Sequence, residues 1–419
     1  MYITACIALG LCLVLAVGQS AIVAAFLAAL LRRPKTATSD TPLPKAAVVL
    51  ALRGPDPFLG TCLRRLLAQE YPDYTVFIVV DNEKDPVHED LDRILSEATI
   101  NNIVVSNLKN PLATCSLKCS ALIQAVSELD ETYEVVAFLD GDVSPHATWL
   151  ADLITPLHDH TIGVTYGNRW YVPTDKTWGG WVRYCWNVGA VVQVWLNGIV
   201  WAGSMAMRAD TIKQIQLLEA WSKALSVDAT IHRQLGKYKY DARFVPSVMM
   251  VNRETISLQR FVGWMQRQLV AAKSTGNGFR LVSLHALNLT ATQVLAVGIV
   301  FFGLITGDLL ASALAATGLG AYWGTALLSI AAMEWAIRRM VKRNGEDISW
   351  RDAHPIRSLL PSLLLTQVVY PYALVGARSH KQVSWRGIKY DIRGFGDVLM
   401  REYHPYVELQ RNTSTESVV

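Results

Sequence analysis

"VVAFLDGDVSP" (Val135–Pro145) runs five apolar residues straight into two aspartates. Val135–Leu139 is too short for a typical helix and has no polar face, so with Glu134 before it the run reads as a strand buried on both faces. Asp140 and Asp142 stand two residues apart, and in an extended chain that spacing turns both carboxylates to one side. Like charges held so close are unfavourable unless a cation sits beside them. Carboxylate oxygens suit hard divalent ions such as Mg²⁺ or Mn²⁺, which also take phosphate oxygens. Gly141 between them adds no bulk and leaves room for a ligand. The physical reading is a metal that joins the protein to a diphosphate; the plain alternative is an Asp-Gly turn ending a strand.

The surrounding sequence gives the motif a setting. Lys45–Leu52, Tyr74–Val80 and Asn101–Ser106 are further apolar, β-rich runs. Pro57–Gln69, Val87–Ala98 and Ser116–Leu129 read as helices between them. Strand–helix alternation with near-continuous apolar strands predicts an α/β domain around a parallel sheet, placed over 40–252. Ligands of such sheets bind at the carboxyl ends of the strands. Each run ends in polar residues: Arg53-Gly54-Pro55-Asp56, Asp81-Asn82, Asn107, and the Asp140/Asp142 pair.

Of the 419 residues, 51% are hydrophobic and 18% charged. Together these require apolar and polar parts to be segregated along the chain. The net charge of +4 gives no nucleic-acid-binding tail. Six scattered cysteines form neither a disulfide framework nor a zinc spacing. Ile3–Leu31 carries no charge and is followed by Arg32, Arg33 and Lys35, so it reads as an uncleaved anchor (1–35) with the following domain in the cytoplasm. Leu281–Gly307 and Leu309–Met333 are two further spans, with Asp308 between them and Arg338, Arg339, Lys342 and Arg343 beyond. Ser358–Ala377 has the length of a third but is interrupted by Pro361 and Pro371; a span is favoured over a re-entrant segment. The membrane region thus covers 281–377, and a basic tail, 378–419, follows. Tyr184–Met207 is apolar but holds Asn187, Gln193 and Asn197, and reads as a helix plus a buried strand of the α/β domain.

Ser257–Lys273, within an interfacial segment 253–280, is amphipathic. Leu258, Phe261, Val262, Met265 and Leu269 repeat at helical spacing, with Arg260, Trp264 and Arg267 on an adjacent line. Such a helix suits the membrane surface just before a span.

These segments resemble family 2 glycosyltransferases of the GT-A fold, most closely the ceramide glucosyltransferase-like branch, from about Lys45 to Arg393. "RGPDPFL" (Arg53–Leu59) resembles the family's nucleotide loop, and "QEYPDYTVFIVVDNEKDP" (Gln69–Pro86) its Tyr-Pro-x-Tyr strand with an acidic turn. "SLKCSAL" (Ser116–Leu122) keeps the family's lysine as Lys118, and "LDGDV" is similar to its Asp-x-Asp site. "WAGSMAMR" (Trp201–Arg208) resembles its Gly-Gly-Ser strand with Ala202 for one glycine. "SVDATIHRQL" (Ser226–Leu235) sits where the family has a Glu-Asp base motif. "VSWRGIKYDI" (Val383–Ile392) resembles a Trp-Arg-Gly-x-x-Tyr segment of lipid-acting members. Two departures stand out: Val227 precedes Asp228 where the family has Glu, and Gly263 precedes Trp264 where it has Arg.

The resemblance implies an inverting transfer of a hexose, with UDP-glucose as donor, to the hydroxyl of a membrane lipid such as ceramide or diacylglycerol. It implies Asp142 as metal ligand, with Asp140 on metal or ribose. Arg53, Asp56, Asp81, Asp85 and Lys118 would bind the donor, Asp228 would act as base, and Arg260, Trp264 and Arg267 would cover the diphosphate and acceptor. Lys118 also reads as a solvated helix lysine, and Asp228 as a plain helix cap. A polysaccharide synthase and a polyprenyl-phosphate sugar transferase are the alternatives within enzymes; a nucleotide-binding membrane protein without catalysis is the alternative outside them.

Overall fold

The computed structural model describes residues 1–32, 42–97, 102–273, 277–346, 348, 355–394 and 396–406. Arg33 and Lys35, Ala98, Asn101 and the end of the tail from 407 lie outside them.

The chain opens with helix α1 (Tyr2–Leu31). The α/β domain follows as β1 (Ala46–Leu52), α2 (Leu59–Leu67), β2 (Tyr74–Val80), α3 (Val87–Ser96), β3 (Ile103–Asn107), α4 (Leu117–Ser127), β4 (Val135–Leu139), α5 (Trp149–Ile154), β5 (Ile162–Tyr171), α6 (Trp178–Leu196), β6 (Ser204–Arg208), α7 (Ala209–Gln214), α8 (Leu217–Trp221), α9 (Val227–Tyr238) and β7 (Asp241–Asn252). Helices α10 (Leu258–Lys273), α11 (Asn277–Thr306), α12 (Leu309–Arg343) and α13 (Pro355–Ser379) come next. The chain then forms β8 (Gln382–Trp385), β9 (Ile388–Gly394) and β10 (Asp397–Glu402).

The large sheet has the order β3-β2-β1-β4-β6-β5-β7. Strands β1, β2, β3 and β4 pair in parallel, whereas β6 runs antiparallel to both β4 and β5. Strand β7 is parallel to β5. It follows that β1, β2, β4, β5 and β7 all deliver their carboxyl ends, and β6 its start, to one edge. The central strands are apolar because helices cover both faces: Ala46–Leu50 and Val135–Leu139 are buried throughout. Each fully buried Val, Leu or Phe there contributes roughly 1.5–3 kcal/mol. Tyr184–Met207 divides into most of α6 and the central strand β6, as its mixed composition suggests.

Between β5 and β7 the register shifts at Tyr166/Asn168. Gly167 sits at that irregularity, and a Cβ there would lie 2.1 Å from the Val248 carbonyl oxygen. The close passage bends β5 just before Arg169.

Among the described residues, four helical stretches are long and apolar enough to cross a membrane: α1, Phe279–Thr306 of α11, α12, and Arg357–Ser379 of α13. The third C-terminal stretch is one continuous helix despite Pro361 and Pro371. Asp308 caps α12 by accepting from the Ala311 N–H at 3.1 Å. Helices α1 and α12 meet along small residues: Ala5, Ala8, Cys12 and Ala16 against Ala311, Ala315 and Gly318. Small side chains let two helices approach closely where no hydrophobic drive separates them from lipid. Towards its carboxyl end α1 joins the α/β core, since Phe26 and Leu30 pack in one cluster with Tyr166, Trp170, Val188, Met333 and Leu363.

The basic segment after 378 is an ordered antiparallel sheet, β10-β9-β8. It docks on the α/β domain through Met400 N–H to Ala113 O (2.7 Å) and Leu117 N–H to Tyr390 Oη (3.2 Å).

Candidate active site

Strand β4 ends at the sheet's shared edge, so Asp140 and Asp142 stand there by topology. The Asp140 backbone N–H donates to Gly203 O at 3.0 Å, fixing the turn to the start of β6. Asn252, at the end of β7, reaches the Asp142 carbonyl at 3.5 Å. The space beside Gly141 belongs to the protein itself: a Cβ there would meet Leu52 Cδ2 at 3.0 Å and Leu59 Cδ1 at 3.4 Å. The glycine serves packing against these leucines, where the sequence suggested an approaching ligand.

Two cations meet the pair. Lys118, from the first turn of α4, is ion-paired to Asp140. Arg169 on β5 places Nη2 3.3 Å from Asp140 Oδ2 and Nη1 3.3 Å from Asp142 Oδ2. Its guanidinium carbon lies over the Trp201 ring, 4.6 Å from the centroid, a cation–π contact. Burial raises the Asp140 carboxyl, but Lys118 and Arg169 outweigh it and the pKa falls below the ordinary value. Among the described residues Asp142 pairs with Arg169 alone, and burial together with Asp140 and Asp56 raises its pKa.

Lys118 is therefore a half-buried ion-pair partner, and the reading of it as a solvated lysine does not hold. The cap reading of Asp228 fails as well. Ser226 is the N-cap of α9, accepting from the Ala229 N–H. Asp228, in the first turn, instead turns to the site and accepts from the Ala202 N–H at 2.5 Å. Its pKa is raised by burial, against the lowering effect of Lys118 and of the Ala202 bond.

The nucleotide-loop residues divide. Arg53 is buried and ion-paired to Asp81, with Nη2 2.7 Å from His404 O. Burial raises Asp81 to about 6 against the pull of Arg53, and its Oδ1 is buried without a partner. Asp85 has both oxygens engaged by backbone, from Gly54 N–H at 2.9 Å and Val87 N–H at 3.0 Å. It braces the nucleotide loop through both oxygens. Asp56 accepts from Phe58 N–H at 2.9 Å and lies 3.5 Å from Arg386 Nη2.

Helix α10 buries Phe261, Met265, Leu269 and Val270 against α13 and the small sheet. The membrane-surface helix read from the sequence is thus packed into protein on its apolar face. Trp264 meets Trp186 at 5.4 Å and Tyr171 at 6.0 Å between ring centroids, and Arg267 lies over Trp385 at 5.7 Å. Arg260 is exposed and is not gathered with them. Glu254, just past β7, holds the buried Arg183 at 2.8 Å.

Arg169, Trp201 and Arg386 are site residues that the sequence reading missed. Arg169 had a signal, a charged residue in "NRWYVP" at a strand's carboxyl end, but β5 was not among the strands read. Among the described residues, no group of three His, Cys, Asp or Glu side chains could hold a metal alone. Asp140 and Asp142 do fit a cation that completes its shell with phosphate and water oxygens, as Mg²⁺ commonly does.

Residues 48–215 match the family model "Glycosyl transferase family 2". The match takes in Arg53, Asp81, Lys118, Asp140, Asp142 and Arg169 and ends before Asp228. No curated protein matches the sequence. Among solved structures, the mannosyltransferase PcManGT from Pyrobaculum calidifontis, in complex with GDP-Man and Mn²⁺, aligns with a TM-score of 0.51 and 16% identity, covering 82% of this chain and 100% of that one. GalNAc-T7 with UDP, GalNAc and Mn²⁺ aligns with a TM-score of 0.39 and 12% identity, over 55% of this chain and 51% of that one. The sheet is accordingly of the GT-A type, flanked among the described residues by one N-terminal and three C-terminal apolar helices, and residues 48–215 are similar to family 2 glycosyltransferases.

Proposed function

We propose that the chain is a membrane-bound, inverting glycosyltransferase that moves a hexose from a nucleotide diphosphate to a lipid hydroxyl. The observation that carries this is the gathering at one sheet edge of the Lys118–Asp140 pair, Asp142 on Arg169, and Asp228 held by the Ala202 N–H, with Trp264 of α10 against Tyr171 beside them. UDP-glucose is the donor implied by the sequence resemblance, and ceramide or diacylglycerol the acceptor class. The catalytic domain would lie in the cytoplasm, by the charge that flanks the spans.

Asp142 and Asp140 would hold Mn²⁺ or Mg²⁺. When bound, the ion neutralises charge growing on the leaving diphosphate. Lys118 and Arg169 hold the carboxylates in place and favour their ionised forms. Asp81, with its unpartnered Oδ1, stands ready for an N–H of the nucleobase, and Arg53 fixes its orientation. Asp228, held by the Ala202 N–H, takes the proton from the acceptor hydroxyl. Attack on the side away from the diphosphate inverts the anomeric centre. Trp264, Trp186 and Tyr171 exclude water and offer an apolar wall to the acceptor.

Membranes containing the chain, incubated with Mn²⁺, radiolabelled UDP-glucose or GDP-mannose and a lipid panel, test this. A glycolipid with an inverted linkage supports the reading. A polymer, a phospho-linked sugar, or nucleotide binding without turnover each overturns it in favour of the corresponding alternative.

A further inference from the structure

The ion pairs along the sheet edge leave two guanidinium groups over. Lys118 and Arg169 are engaged by Asp140 and Asp142, Arg183 by Glu254, and Arg53 by Asp81. Arg267 on α10 makes no ion pair with a carboxylate among the described residues and rests on the Trp385 ring. The next residue, Arg386, has one carboxylate contact, 3.5 Å from Asp56. The ring of Trp385 thus joins Arg267 to the turn that bears Arg386, and burial, then the charge of Arg386, lower the Arg267 pKa to about 10. The charge of Arg386 also reaches Asp140.

The backbone under Arg386 is unusual. Arg386 has φ 44° and Gly387 φ 82°, two successive left-handed residues at the β8–β9 turn. Hairpin turns of this kind favour Asn-Gly, and a side chain as long as arginine gains nothing from the conformation. The turn is instead pinned to the nucleotide loop by a reciprocal pair: Arg53 Nε donates to Arg386 O at 3.0 Å, and Arg386 Nη1 donates to Arg53 O at 2.5 Å. Strained backbone kept in place by such bonds is characteristic of functional sites.

We propose that Arg386, together with Arg267, binds the distal phosphate of the nucleoside diphosphate donor. Arg386 exchanges its long Asp56 contact for phosphate oxygens, which a guanidinium binds as a fork. The proposal rests on the glycosyltransferase reading and assigns to the C-terminal sheet a share of the donor site.

The test is calorimetric titration of the full-length protein in nanodiscs, with Mn²⁺, using UDP, UMP, GDP and GMP. The wild type should bind one diphosphate more tightly than its monophosphate. Arg386→Asn should lose about ten-fold or more in diphosphate affinity, keep monophosphate affinity within about two-fold, and lower the melting temperature only slightly, because Asn suits the turn and the Arg53 Nε bond to the residue 386 backbone carbonyl remains. Arg267→Gln, on a different element, should show the same selective loss, and Arg386→Lys should restore part of it. Equal losses for di- and monophosphate overturn the proposal, since Arg386 would then act through Arg53 and the base. A loss confined to geranyl phosphate, with nucleotides unaffected, also overturns it and assigns the pair to an acceptor phosphate. A wild type that binds none of the four nucleotides overturns the glycosyltransferase reading along with it; a wild type that binds them, with variants that bind equally well, overturns this inference alone.

Discussion

The backbone N–H of Ala202 donates to Asp228 Oδ1 at 2.5 Å, tying the first turn of α9 to the turn that leads into β6. One carboxylate oxygen is thereby fixed, and in the proposed reaction the other, which has no hydrogen bond among the described residues, would face the acceptor. Asp228→Asn should retain donor binding and lower turnover by about 10²–10⁴, measured by nucleotide titration beside product formation. Retained turnover sinks the assignment.

In the proposed reaction the raised pKa of Asp228 would set the acid side of the rate profile. Its carboxylate is the working form, so kcat/KM should fall as pH drops through a value above the usual carboxylate range. Burial raises that value and Lys118 opposes it. Lys118→Met should therefore move the acid limb to higher pH. A limb that stays in place would show that the two groups do not communicate.

Asp81 makes a statement about stability. Its folded pKa is about 6 and its ordinary value 3.8, with burial as the main cause. The folded state holds this proton more tightly than the unfolded chain does. The associated stabilisation is complete below about pH 4 and is lost as pH rises through about 6, at most on the order of 3 kcal/mol. The melting temperature of the wild type should fall relative to Asp81→Asn across that window; parallel curves would contradict the assignment.

Removal of divalent metal by EDTA should stop transfer, and Mn²⁺ should restore it. Asp142→Asn should raise the Mn²⁺ needed for half-maximal activity by about ten-fold or more. Full activity in EDTA would show that Lys118 and Arg169 alone neutralise the leaving group.

Gly167→Ala forces a Cβ to within 2.1 Å of the Val248 carbonyl oxygen. Separation of β5 from β7 should cost about 3 kcal/mol and disturb Arg169 two residues on, lowering both melting temperature and turnover. Gly189→Ala in α6 meets nothing within 4 Å and should gain up to about 1 kcal/mol.

Strands β1, β2 and β4 were legible because each is buried on both faces and so carries an unbroken apolar run. Strand β3 was read a little early, over Asn101–Ser106, because it lies at the sheet's edge with Val104 and Val105 exposed. Strands β5 and β7 escaped notice: they mix polar with apolar residues, and their pairing joins segments about eighty positions apart. Arg169 was hidden for the same reason, since its carboxylates lie on a strand that only the sheet brings near. Asp140, Asp142 and Asp228 were visible because short motifs carry them. That Ser226 caps α9 follows from a side-chain choice that composition leaves open. Arg386 lay in a segment marked as a motif, but its place beside Arg53 depends on a hairpin docking across 333 positions of chain.

The burial of Phe26 and Leu30 beside Tyr166 and Trp170 bears on how the protein is handled. Trp170 Nε1 and Tyr184 Oη also donate to Glu334 of α12, at 3.1 and 2.9 Å. A fragment trimmed to 40–252 would strip these partners from the strand that bears Arg169 and uncover an oily underside. Such a fragment should aggregate on expression, and assays are better founded on the intact chain in lipid.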